Sequence, residues 1–134
     1  MSNIREEKGY TYGIYSSFAS YPHGAFFEIA SEVGKDVREA TMKEIEHEIN
    51  VLRNELINGE ELQVVKNYMS GKILRSIDGP MKFSETLKNL IIYNQDLDYI
   101  HQLLKTVREV TAEELQQLAV KYFDYEKMYK VSVG

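Results

Sequence analysis

A chain of 134 residues with 43% hydrophobic and 28% charged side chains can bury one core of ordinary size. It has no cysteine, which excludes disulfide staples and thiolate metal sites. Its net charge of −5 and lack of a polybasic segment argue against nucleic acid as a partner, and apolar runs such as Leu90-Ile91-Ile92 are too short to span a membrane.

Almost at its N-terminus the chain carries Arg5-Glu6-Glu7-Lys8-Gly9-Tyr10-Thr11-Tyr12-Gly13. Residues 10–21 are rich in Tyr, Thr, Ile and Phe and predict a strand. Tyr10, Tyr12, Ile14 and Phe18 fall on one face of it, with Tyr15 and Tyr21 on the other. Pro22-His23-Gly24 signals a turn, and residues 25–33 predict a second strand with Ala25, Phe27, Ile29 and Val33 on one face. Two such strands around a short loop read as an antiparallel hairpin.

After Gly34 the period becomes helical. Asp36 is a plausible N-cap, Met42, Ile45, Ile49, Leu52 and Leu56 mark one apolar stripe, and Asn58-Gly59 reads as the end of this first helix. A second helix from about Glu60 carries Leu62, Val65, Met69, Ile73 and Ile77, and Asp78-Gly79-Pro80 stops it. A third carries Phe83, Leu87, Leu90 and Ile91, and a fourth, from Asp96, carries Leu97, Ile100, Leu104 and Val107. Thr111-Ala112-Glu113-Glu114 is a capping box that starts a fifth helix with Leu115, Leu118, Ala119 and Tyr122. Residues 127–133 predict a closing strand with Tyr129, Val131 and Val133 on one face. The order strand, strand, helices, strand predicts an α+β fold: an antiparallel sheet, made of the hairpin plus a C-terminal strand, with helices packed on one face. Residues 1–134 read as a single domain.

Candidate chemistry is sparse. His23, His47 and His101 are far apart, and no His-x-x-x-His or His-x-x-Glu-His spacing occurs, so no metal site is expected in this chain. Glu44, Glu46, Glu48 and Glu55 form an ordinary polar helix face, and Glu6-Glu7 read as solvated acids. Ser16-Ser17 has no histidine near it, and no glycine-rich phosphate loop or nucleophile elbow is present. Arg5 and Tyr12 remain. An arginine fork holds a carboxylate or carbonyl with paired donors, and a phenol donates to a developing oxyanion. Residue type alone favours a plainer reading, a surface arginine and a strand tyrosine packed in the core.

The opening stretch resembles a signature of the non-catalytic C-terminal half of the insulinase/pitrilysin family of zinc peptidases, and is similar to the smaller bacterial members that resemble mitochondrial processing peptidase. The hairpin, the long helix, Lys72-Ile73-Leu74, the Val110–Glu114 cap and Tyr129–Val133 follow in the family's order. The resemblance implies a parent whose N-terminal half carries a His-x-x-Glu-His zinc motif, while this half lacks the metal and closes over the peptide substrate. It implies Arg5 and Tyr12 as substrate-binding residues, with Tyr12 also a transition-state donor, and Gly9 and Gly13 as sources of backbone freedom. Zinc is implied for the parent and no cofactor for this chain. The implied partners are the zinc-binding half, on the same chain or as a separate subunit, and a peptide substrate.

The family's domain has a further strand and helix before Arg5, so a truncated C-terminal domain is expected, self-associating through an exposed sheet edge. Two alternatives stay open. One is a non-enzymatic structural or heterodimer-partner subunit of the same family. The other is an unrelated small α+β binding module, well packed and monomeric.

Overall fold

Aromatic and small residues on either side of Tyr21-Pro22-His23-Gly24 form the expected hairpin in the computed structural model, which describes residues 2–134 and their side chains from Ile4 onward. Strand β1 (Ile14–Tyr21) pairs antiparallel with β2 (Gly24–Ser31), with Ile14 opposite Ser31 and Phe18 opposite Phe27. Five helices follow: α1 (Arg38–Asn54), α2 (Gly59–Ser76), α3 (Pro80–Ile92), α4 (Asp98–Glu109) and α5 (Ala112–Tyr122). The fold is α+β and mostly helical. The backbone separates into two compact units. The first holds the described residues up to Asn54 together with Ala119–Gly134, and the second is Glu55–Leu118.

In the first unit the alternation of the strands decides which face is packed. Ile14, Phe27 and Ile29 line an apolar cavity of about 270 Å³ together with Ile45, Ile49 and Leu52 of α1, Ile4 and Phe123. Phe27 and Phe123 meet at 4.8 Å between ring centroids. The opposite face carries Tyr15, Tyr21 and Phe26, all exposed. Tyr125 is buried, and its hydroxyl donates to the Met42 carbonyl of α1 (3.0 Å).

Both strands are shorter than the alternation predicts. Gly9 sits at φ +64°, the left-handed region that glycine enters without cost. The Gly13 N–H then donates to Thr11 Oγ1, and the Thr11 hydroxyl donates to the Glu32 carbonyl. These local bonds take backbone groups that strand extension needs. Tyr12 therefore lies outside β1.

The predicted C-terminal strand does not form. Lys127 N–H donates to Asp124 O (3.0 Å) and Met128 N–H to Tyr125 O (3.2 Å), which makes a 3-10 turn at Tyr125–Lys127. Beyond it the chain pairs with no strand among the described residues. A groove of about 620 Å³ has Ile29–Val33 as one wall and Val131–Gly134 as another, over Thr41, Met42 and Ile45 of α1. Ladder pairing needs strands about 4.8 Å apart. Val131 and Val133 are accordingly 86% and 96% exposed.

In the second unit Leu90, Ile100 and Leu104 are buried together, with Ile73 and Ile77 packed against them. Lys66 Nζ donates to the Arg108 carbonyl (3.0 Å), and Thr86 Oγ1 to the Ser76 carbonyl (2.8 Å). The capping box forms as read: Thr111 N–H donates to Glu114 Oε2 (2.8 Å), and Glu114 N–H donates to Thr111 Oγ1 (3.2 Å). Asp78-Gly79-Pro80 also acts as expected, with Gly79 at φ +86° and Pro80 opening α3. Asn58 is a correction. It does not end the first helix, which stops at Asn54; its Oδ1 accepts from Glu60 N–H (2.8 Å) and starts α2.

Tyr125→Phe removes one hydrogen bond and no volume. It is expected to cost about 1 kcal/mol, read as a lower urea midpoint at unchanged slope. The pH dependence has a definite sign. Burial, reinforced by Glu46, Glu126 and Glu39, raises the Tyr125 phenol above its ordinary 10.0. The hydrogen bond to Glu44 raises the Lys8 ammonium above its ordinary 10.5. Both groups are held protonated by the fold. Their contribution is complete below the unfolded-state pKa and is lost as pH rises through the folded-state one. Stability should therefore fall above about pH 10, and Tyr125→Phe should flatten part of that fall.

Candidate functional site

The N-terminal arc is built from its two anchored ends. Ile4 is buried at 4% exposure and lines the apolar cavity of the first unit. The Tyr10 N–H donates back to the Ile4 carbonyl (3.1 Å), closing a turn that contains Arg5. Lys8 pairs with Glu44 of α1, which ties the crown of the turn to that helix. At the other end Thr11 is buried at 9% exposure. Its hydroxyl donates to the Glu32 carbonyl (2.7 Å) and accepts from Gly13 N–H (3.1 Å) and from the Ser31 hydroxyl (3.0 Å).

Arg5 lies within this closed turn and Tyr12 two residues beyond its end, and both are exposed. Tyr12 is 102% exposed, so a tyrosine packed in the core is excluded. Neither side chain has a hydrogen bond or ion pair among the described residues. The arc thus displays an unengaged guanidinium and an unengaged phenol from a tied backbone. Such a pair can hold a carboxylate or carbonyl at one point and donate to an oxygen at another. Gly9 supplies the positive φ expected of it, whereas Gly13 does something else. A Cβ there would lie 2.6 Å from the Tyr15 hydroxyl, so its bare α-carbon leaves room for that ring.

Other candidates stay dispersed. His23 and His47 are exposed, and His101 sits 3.7 Å from Asp98 on the surface of α4. Ser17 donates to Glu28 (2.7 Å) on the exposed face of the sheet. Among the described residues no group of three or more His, Cys, Asp or Glu is placed to hold a metal ion, and no helix is long and apolar enough to cross a membrane. Residue reading missed the Thr11–Ser31–Glu32 network. Its only local trace is the Thr11-x-Gly13 spacing, at which a threonine hydroxyl can bond the backbone two residues on.

A sequence profile described as the peptidase M16 inactive domain matches residues 1–69, which include the whole arc, the hairpin and α1. The chain belongs to the peptidase M16 inactive-domain family. It is 24% identical over 122 residues to a Bacillus subtilis (strain 168) protein named uncharacterized zinc protease YmxG, covering 90% of this chain and 30% of that one. The crystal structure of a peptidase M16 inactive domain from Pseudomonas fluorescens superposes with a TM-score of 0.78 at 26% identity, over 92% of this chain and 29% of that one. A protease from Helicobacter pylori shares the fold, with a TM-score of 0.76 at 18% identity over 92% of this chain and 30% of that one. This M16 chain therefore spans under a third of the length of each of these relatives. Membership agrees with the implied C-terminal, non-catalytic half of an insulinase-family zinc peptidase.

Proposed function

We propose that this chain is part of the metal-free half of a zinc-dependent peptidase and closes over a peptide bound by the zinc-carrying half. The observation that carries the reading is the tied arc with Arg5 and Tyr12 unengaged on it. Arg5 would grip a carbonyl or carboxylate of the peptide with its planar fork. Tyr12 would donate to the carbonyl under attack, where negative charge develops. The described residues do not fit a zinc site; the metal would be held by the other half, where it would activate the attacking water. The share of each relative that the chain spans supports reading it as one part of a longer protein.

The free edge of β2 is the proposed site of self-association. It is supported by the groove beside that edge and by the uncovered Val131 and Val133 across it. The first unit has little core to spare, and among the described residues no large side chain is completely enclosed.

The purified chain is expected to cleave no peptide and to hold well under one zinc per chain. Joined to a half that carries His-x-x-Glu-His, it is expected to support peptide cleavage that a chelator abolishes. Zinc-dependent cleavage by the 134-residue chain alone would overturn the reading. A zinc half equally active without this chain would point instead to a structural subunit.

A further inference from the structure

We infer that Thr11 is the positioning residue for Tyr12, acting through a closed hydroxyl network rather than by touching substrate. This rests on the reading of Tyr12 as a substrate donor. A threonine hydroxyl has one proton to give and two lone pairs to fill. The proton has two carbonyls in reach, those of Glu32 (2.7 Å) and Gly13 (2.9 Å), and the lone pairs take the Gly13 N–H and the Ser31 hydroxyl. Ser31 also lies 3.0 Å from the Gly13 carbonyl, an alternative acceptor for its proton.

The placement of these bonds carries the inference. The Thr11 side chain grips Gly13 at its N–H, so the two residues that bracket Tyr12 are joined directly. Glu32 and Ser31 then tie that bracket to the end of β2. Tyr12 makes no polar contact of its own among the described residues, and its ring is in solvent. With no side-chain contact to choose a rotamer, what the fold fixes is the Tyr12 backbone and its Cα–Cβ direction, and that backbone is held by Thr11. A donor aimed this way spends little ordering free energy when substrate arrives.

The test measures kcat and KM for peptide hydrolysis by the peptidase assembled with its zinc-binding half. The variants are Thr11→Val, Thr11→Ser, Tyr12→Phe and the double variant Thr11→Val with Tyr12→Phe. Thr11→Val keeps the shape and removes the bonds. It is expected to lower kcat by up to about 10²-fold, the cost of misplacing a catalytic group by about 1 Å, while KM changes little. Thr11→Ser restores the hydroxyl and should recover most of the loss. In the Tyr12→Phe background Thr11→Val should cost nothing further, since the residue it aims has lost its donor. An equal loss in both backgrounds makes Thr11 merely structural and overturns the proposal. So does a lowered kcat in Tyr12→Phe beside an unaffected Thr11→Val. A silent Tyr12→Phe overturns the reading of Tyr12 itself and is recognised by that result alone. Should Thr11→Val fold poorly, Ser31→Ala removes one donor to the same hydroxyl. It is expected to give a smaller fall in kcat that again vanishes in the Tyr12→Phe background.

Discussion

Tyr12→Phe in the assembled peptidase is expected to lower kcat by about 10²–10³-fold, or about 2.7–4 kcal/mol, the range for losing one oxyanion donor. KM should stay near its original value, because the donor's bond strengthens only as charge develops on the carbonyl. The variant should melt with the parent chain. Tyr12 is wholly exposed and bonds no described residue, so the fold loses nothing when the hydroxyl goes. This pairing of a large kinetic effect with no thermal effect separates a donor from a packing residue. Unchanged turnover in Tyr12→Phe removes Tyr12 from the mechanism, and an equal rise in KM with constant kcat demotes it to a binding contact.

Exposure of this kind is what the sequence could not state. Period-two alternation put Tyr12 on the same face as Ile14 and Phe18, and in a continuous strand that face packs against α1. The strand does not reach Tyr12, because Gly9 turns the backbone and Thr11 captures Gly13. One side-chain bond therefore separated a core assignment from an exposed one. The parts that were legible have local causes. The Thr111–Glu114 box closes within four residues, and the Gly79-Pro80 stop needs only a positive φ and a missing N–H. The C-terminal strand had an equally good pattern in Tyr129, Val131 and Val133, but a strand exists only with a partner at ladder distance. A pattern shows that residues suit a strand without saying which chain will pair with them. Asn58 shows a third limit: Asn-Gly marks a boundary, and whether a helix ends or begins there is decided by which amide the side chain reaches.

The unpaired C-terminal segment makes self-association the other large expected effect. At high concentration sedimentation or light scattering should give the mass of two chains, and dilution should return one. The groove beside β2 offers a strand edge on one wall and an unpaired segment on the other, where the apolar side chains of Val131 and Val133 face no covering residue. A stable interface buries about 1,200–2,000 Å², so the edge alone is too small, and the exposed aromatic face of Tyr15, Tyr21 and Phe26 would be needed to complete it. Each chain carries a net charge of −5, so two copies repel at low ionic strength. Added salt should therefore strengthen the dimer, the opposite of what an interface built on ion pairs would do. Val131→Lys with Val133→Lys places two ammonium groups on the groove wall and should return the chain to a monomer without lowering its melting temperature at low concentration. A monomer at every concentration in the parent chain sinks the proposal. A dimer that survives the double lysine variant moves the contact away from this edge.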